Sequence, residues 1–95
     1  MNIFQYYQKR IFDILKILER KKILRIPKKF KGLTVELPPK NKEAAISCNA
    51  ALILAKHNNI SSLDLAKTLK KNLLIIFKEF TNIEVAAPGF LNINF

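Results

Sequence analysis

The chain has 95 residues, 49% of them hydrophobic, which is enough for one core-bearing domain but leaves little room for an enclosed active site. Its formal net charge is +10, from 17 Lys/Arg against 7 Asp/Glu. Most of this charge lies in residues 1–42, which carry 12 Lys/Arg and 3 acids. A field of this size attracts polyanions, most simply nucleic acid or an anionic membrane surface.

Cysteine and histidine usage argues against nucleophilic and metal chemistry. Cys48 is the sole cysteine and His57 the sole histidine, so there is neither an intramolecular disulfide nor a metal-ligand spacing. Cys48 is predicted to be a small buried residue in a helix. The sequence contains no apolar run of membrane-spanning length and no signal peptide, so a reducing, cytoplasmic location is expected and no membrane is expected as a partner.

The first third of the chain predicts one helix and one strand. Apolar residues recur at helical spacing over residues 3–22, namely Phe4, Tyr7, Ile11, Ile14 and Leu18. A basic connection follows, in which residues 23–26 could form a short strand. Leu33, Val35 and Leu37 alternate with polar residues, which predicts a strand over residues 33–37 with one buried face, stopped by Pro38-Pro39.

The middle of the chain predicts two helices. Residues 43–57 are rich in alanine and leucine and end at Asn58-Asn59. Ser61 opens the second helix with Asp64 at capping-box spacing. Four apolar residues then follow at helical intervals: Leu65, Leu69, Leu73 and Phe77.

Residues 82–95 predict two strands around a type II turn at Pro88-Gly89. Alternation puts Leu91, Ile93 and Phe95 on a core face and Phe90, Asn92 and Asn94 on the other. A strand that presents a ring and an amide could read one unstacked base, because rings stack on bases and amides bond to base edges. Alternatively, Phe90 packs under a helix while the asparagines face water. The element order predicts a two-layer α+β domain, an antiparallel sheet with helices packed on one face.

No catalytic residue, cofactor or metal site is predicted. With two distant glycines and scattered acids, the chain has neither a phosphate-cradling loop nor a carboxylate pair. Basic side chains are candidates for backbone phosphate contacts, or else are simply solvated. They are Arg20, Lys21, Lys22, Lys28, Lys29, Lys70 and Lys71.

Three stretches carry a family resemblance: Asn49-Ala50-Ala51-Leu52-Ile53-Leu54-Ala55-Lys56, Asp64-Leu65-Ala66 and Glu84-Val85-Ala86-Ala87-Pro88-Gly89-Phe90-Leu91-Asn92. In this order they resemble the N-terminal additional domain of arginyl-tRNA synthetase, over residues 35–95. The resemblance implies an RNA-reading appendage that grips the elbow of arginine tRNA and contacts a D-loop base. It assigns the stacking contact to Phe90 and the hydrogen bond to Asn92.

The chain departs from the family pattern in two places. Ala44-Ala45 stands where the family usually has a glycine and an acidic residue, and Ala87 replaces a common glycine. Nothing resembles the synthetase signatures of the histidine-isoleucine-glycine-histidine and lysine-methionine-serine-lysine type. The chain itself is therefore predicted not to be an enzyme, whereas its parent is expected to be an arginine–tRNA ligase that uses ATP.

Residues 1–95 are thus expected to form one monomeric N-terminal domain that recognises arginine tRNA isoacceptors and adjoins the remainder of a synthetase. A rival interpretation is a non-catalytic basic module whose amphipathic first helix docks on a partner protein or an anionic membrane surface.

Overall fold

A four-stranded antiparallel sheet carries three helices on one face in the computed structural model, which describes residues 2–40 and 43–95. The elements in chain order are α1 (Ile3–Arg20), β1 (Val35–Glu36), β2 (Ile46–Cys48), α2 (Ala50–Leu54), α3 (Ser62–Ile76), β3 (Asn82–Ala86) and β4 (Phe90–Asn94). The strand order is β1-β2-β4-β3, and each neighbouring pair is antiparallel. The predicted two-layer α+β architecture is confirmed.

Helix α1 forms as its apolar spacing predicts. Its first turn is capped by Asn2, whose side chain accepts a hydrogen bond from the backbone N–H of Gln5 at 2.8 Å. One face is buried against the sheet layer through Tyr7, Ile11, Leu15 and Leu18. The helix ends at Arg20, two residues before the predicted boundary.

The helix predicted over residues 43–57 is wrong in its first half. Ile46–Cys48 forms strand β2 between β1 and β4, and the helix is confined to Ala50–Leu54. Ile46 lies opposite Ile93 in the ladder, and the Cys48 position is opposite Leu91. These pairings outweigh the local preference of alanine for helix. Cys48 is fully buried, as predicted, but it lies in a strand.

Strand β1 is shorter than predicted because it is an edge strand with only two pairs to β2. It comprises Val35–Glu36, whereas Leu37 is 75% exposed and does not continue the buried face. Residues 23–26 contain no strand.

Helix α3 and the two terminal strands form as predicted, but the placement of Phe95 on the core face is wrong, because this side chain is exposed. The hydroxyl of Ser61 accepts a hydrogen bond from the backbone N–H of Asp64 at 3.1 Å. The predicted helical stripe is buried, namely Leu65, Leu69, Leu73 and Phe77. Strand β4 begins at Phe90, as expected. Phe95 is 43% exposed, and its ring centroid lies 5.2 Å from that of Tyr7.

The hairpin turn is not the predicted type II turn. Gly89 N donates to Ala86 O at 2.9 Å, which makes Pro88 the third turn residue, and the Ala87–Pro88 peptide is cis. The glycine is required by space, because a Cβ there would lie 2.8 Å from Ser62 Cβ. The Ser62 hydroxyl also donates to Pro88 O. The turn therefore rests directly on the first residue of α3.

Candidate nucleic-acid interface

The sheet has an outer face, which we define as the side opposite the helices. Register places one row of side chains straight across this face: Glu36, Ser47, Asn92 and Glu84. Ser47 and Asn92 are buried in the middle of the row, and the two glutamates at its ends are exposed. This row is consequently polar, with an acid at each end and Ser47 and Asn92 between them.

Phe90 lies on this outer face, beside Ala86 and one step along β4 from the buried Leu91. Its side chain is half-buried, and it does not belong to the hydrophobic core cluster. The alternative in which Phe90 packs under a helix does not fit this position. Because part of the side chain is accessible, the ring can contact a planar group.

Asn92 lies at the centre of the outer face and is only 2% exposed. Its Oδ1 is buried and has no hydrogen-bond partner among the described residues. A buried acceptor without a partner costs on the order of 1–3 kcal/mol, so this position is one where a donor from a ligand would be stabilising. A base edge can reach Asn92 only if neighbouring side chains move aside.

The seven basic candidates lie on other elements. Arg20, Lys21 and Lys22 are at the end of α1, Lys28 and Lys29 are in a turn of the connection, and Lys70 and Lys71 are on α3. All are exposed except Lys70, which is half-buried. The structure thus does not place them on the strands that carry Phe90 and Asn92, and their contact with phosphates stays a prediction.

One of the seven basic candidates, Lys22, lines a cavity together with Arg25 and His57. The cavity has a volume of about 570 Å³, and Glu19 is also among its lining residues. The Asn58 side chain fixes the backbone of Arg25 beside this cavity. It accepts a hydrogen bond from Arg25 N at 2.6 Å and donates one to Arg25 O at 2.9 Å. The end of α1 is therefore linked to the turn after α2.

Asn49 has a role that the sequence analysis missed. Its Oδ1 accepts from Thr34 N at 2.8 Å, and its Nδ2 donates to Gly32 O at 2.9 Å. It precedes α2, yet its side chain makes no capping hydrogen bond. Asn49 instead fastens the segment before β1 to the end of β2, one residue after the Cys48 that pairs with Leu91.

Polar chemistry elsewhere is structural. Burial raises the pKa of the Cys48 thiol to about 11, so it is a poor nucleophile at neutral pH. The pKa of Glu79 is lowered by its own backbone N–H and by hydrogen bonds from Tyr7 and Arg10. Within residues 2–40 and 43–95, no three His, Cys, Asp or Glu side chains are grouped to hold a metal ion. No helix in that part of the chain is long and apolar enough to cross a membrane.

The fold and the outer face define a small two-layer α+β domain with polar side chains across the outer face of its sheet. Residues 6–95 match the family model of the arginyl tRNA synthetase N terminal domain. The chain belongs to this family, which confirms the resemblance carried by the asparagine-alanine-alanine segment and the hairpin.

Relatives of the chain are much longer proteins. The chain is 36% identical over 95 residues to the arginine–tRNA ligase of Pelagibacter ubique (strain HTCC1062), covering 100% of the chain and 16% of the ligase. It is 32% identical over 93 residues to that of Parvibaculum lavamentivorans (strain DS-1), covering 98% of the chain and 16% of the ligase. It is 30% identical over 94 residues to that of Wolbachia pipientis wMel, covering 99% of the chain and 16% of the ligase. No solved structure gave a significant match.

Proposed function

We propose that the chain is the N-terminal tRNA-binding domain of a cytoplasmic arginine–tRNA ligase that uses ATP and acts in protein biosynthesis. Two findings support this: membership of the family, and relatives named arginine–tRNA ligase in which the matched region is about 16% of the protein. Amino-acid activation would belong to the remainder of the synthetase chain. The domain's own contribution is to bind arginine tRNA.

The outer face is the proposed contact for one base of the tRNA D-loop. Phe90 stacks on the base, and Asn92 bonds to its edge. The observation that carries this proposal is the buried Oδ1 of Asn92, which lacks a partner among the described residues and lies on the same face as the half-buried ring. A base that donates an N–H or amino hydrogen would satisfy this oxygen.

The distribution of charge favours different parts of the RNA at two surfaces: the base at the outer face, and the phosphates at the basic candidates. Glu36 lies at one end of the row that contains Asn92, so a phosphate placed beside it would meet an unfavourable carboxylate. The outer face therefore suits a base rather than the backbone. The seven basic candidates attract the phosphates at the tRNA elbow without reading sequence.

A low-salt NMR titration of the isotope-labelled chain tests the proposal. Arginine tRNA and the same tRNA with a substituted D-loop base are compared, following the amides of Phe90, Asn92 and Asn94. We expect shifts along β4 that weaken with the substituted tRNA. The Phe90→Leu variant removes the ring and should lose this preference, whereas Asn94→Ser, on the same face of the same strand, should retain it.

Equal shifts confined to lysines would overturn base reading and leave electrostatic attraction alone. Binding to a partner protein or to anionic vesicles without any preference for arginine tRNA would favour the rival interaction module.

A further inference from the structure

A groove separates α1 from the connection that leads to β1. Its volume is about 450 Å³, within the range of about 300–1,000 Å³ typical of ligand pockets. We call it the α1 groove and define it by its lining residues: Gln5, Gln8, Lys9, Phe12, Phe30, Lys31, Gly32 and Leu33. None of them belongs to the outer face of the sheet.

Two aromatic rings form one wall of the α1 groove. The Phe12 and Phe30 rings are nearly parallel, with an interplanar angle of 16° and centroids 5.9 Å apart. Both side chains are half-buried, so part of each ring faces the groove. Lys16 Nζ lies 5.5 Å from the Phe12 centroid. Because the rings contact each other and a lysine lies over Phe12, a further planar group would meet the exposed parts of rings that are already ordered.

The charged side chains that line the α1 groove are all lysines. Lys9 lies on the α1 side and Lys31 on the opposite side, both are exposed, and no acid is among the described residues that line the groove. Two glutamine side chains, Gln5 and Gln8, add amide donors and acceptors. A planar group with an anionic flank complements this surface in both shape and charge. A nucleotide has both parts.

The α1 groove is tied to β2, which pairs with the strand that carries the proposed base contact. Gly32, on its rim, accepts from Asn49 Nδ2 at 2.9 Å, and Asn49 directly follows β2. The segment before β1 is held a second time by Thr34 N, which donates to Asn49 Oδ1 at 2.8 Å. One asparagine therefore fixes the groove relative to the outer face.

We propose that the α1 groove binds one unpaired nucleotide of an RNA, its base against Phe12 and Phe30 and its phosphates beside Lys9 and Lys31. This inference rests on the proposed function, because it gives the same RNA a second contact. Lys9 and Lys31 act as positioning cations, and the rings select unpaired over paired nucleotides, since bases within a duplex are already stacked.

The test measures binding of the 95-residue chain to three RNAs: an unpaired eight-nucleotide oligouridylate, an eight-base-pair duplex and an arginine tRNA transcript. Phe12→Leu keeps an apolar side chain but removes the ring. We expect it to weaken oligouridylate and tRNA binding by about fivefold or more, with duplex binding changed less than about twofold. Unchanged oligouridylate binding overturns the proposal.

The cation arm compares two double variants of equal charge. Lys9→Gln with Lys31→Gln should weaken oligouridylate binding more than Lys67→Gln with Lys78→Gln, whose lysines are exposed on and just after α3. The first pair should also reduce the slope of log affinity against log salt by about 0.7 for each phosphate that is no longer neutralised. Equal losses of affinity in the two pairs indicate electrostatic attraction alone and overturn the proposal.

An NMR measurement on the unmodified chain guards against a variant that fails to fold. Nuclear Overhauser contacts between uridine protons and the Phe12 or Phe30 rings are expected, and their absence at saturation counts against the groove. If a protein segment occupies the groove instead, oligouridylate gives no such contacts.

Failure of this inference can be told apart from failure of the proposed function. Loss of tRNA preference in Phe90→Leu together with normal oligouridylate binding in Phe12→Leu overturns the groove alone. The reverse pattern overturns base reading by the outer face and leaves the groove standing.

Discussion

The two faces of the sheet are built from alternate residues of the same strands, yet they are organised in opposite ways. On the inner face Ile46, Ile83 and Ile93 are fully buried in the hydrophobic core. On the outer face the neighbouring Asn92 is nearly as buried, but its carbonyl oxygen has no partner among the described residues. Burial alone therefore does not identify a structural residue. The faces differ in that the inner one buries apolar side chains, whereas the outer one buries an acceptor that has no partner among the described residues.

The largest effect is expected on the inner face. Ile93 is paired with Ile46 on one side and Ile83 on the other, so Ile93→Ala should lower the free energy of unfolding by about 2–5 kcal/mol. Urea denaturation measures this as a lower midpoint with an unchanged slope. A decrease below about 1 kcal/mol would mean that the inner face is not a packed core.

The next effect is at the turn, where the hairpin rests on a helix. Gly89→Ala would place a Cβ 2.8 Å from Ser62 Cβ and should cost about 1–3 kcal/mol. The same change in a Ser62→Gly background should cost less, because the clashing carbon is gone. A double-mutant cycle in urea measures this coupling, and strict additivity would contradict the contact.

A smaller stability effect is expected on the outer face. Asn92→Ala removes an acceptor that has no partner among the described residues, and this gain opposes the packing lost at a buried position. The free energy of unfolding should therefore change by at most about 1 kcal/mol. Its affinity for arginine tRNA should fall by roughly three- to tenfold. Asn94→Ala, on the same face, serves as the matched control. A large decrease in stability with unchanged affinity would assign Asn92 to the fold.

The smallest effect concerns a satisfied polar group on the helical side. Glu79 accepts from the Tyr7 hydroxyl at 2.9 Å and from Arg10 Nη1 at 2.8 Å. Since the Arg10 and Glu79 side chains are 35% and 39% exposed, solvent screening limits the cost of Glu79→Gln to less than about 1 kcal/mol at neutral pH.

The pH dependence of that cost has a definite sign. Because the pKa of Glu79 is lowered on folding, its contribution is present above the unfolded pKa and is lost as pH falls through the folded pKa. Thermal melts of Glu79→Gln and the natural chain should therefore converge in acid. A difference that grows as pH falls would contradict this assignment.

Local patterns predicted the parts of the fold that depend on neighbours in sequence. The α1 stripe, the Ser61 cap and the alternation from Phe90 to Asn94 all formed as expected. Strand β2 did not, because its alanine-rich surroundings favour helix and only its pairing with β1 and β4 makes it a strand. The exposure of Leu37 has the same origin, since its alternation continues beyond the last pair of β1.

In the candidate site, too, features set by neighbours in sequence could be predicted and features set by distant segments could not. Phe90 and Asn92 could be placed on one face from sequence because they are two residues apart in a strand. The clamp by Asn49 and the α1 groove could not, because they join residues of distant segments through hydrogen bonds and packing. The helix predicted over residues 43–57 would have placed Asn49 in a helix interior, and nothing in the sequence pairs Phe12 of α1 with Phe30 of the basic connection.

The place of β4 in the sheet sets the order in which the domain can be made. It is the inner partner of β2, yet more than forty residues separate the paired Cys48 and Leu91. At about 5–20 residues per second, β2 waits on the order of 2–9 s during synthesis with one edge unpaired. Docking of the hairpin onto that edge completes the core. The strand that is proposed to meet RNA is thus also the strand that pairs with the open edge of β2, and a chain broken off before it would lack both the proposed base contact and the central pairing of the sheet.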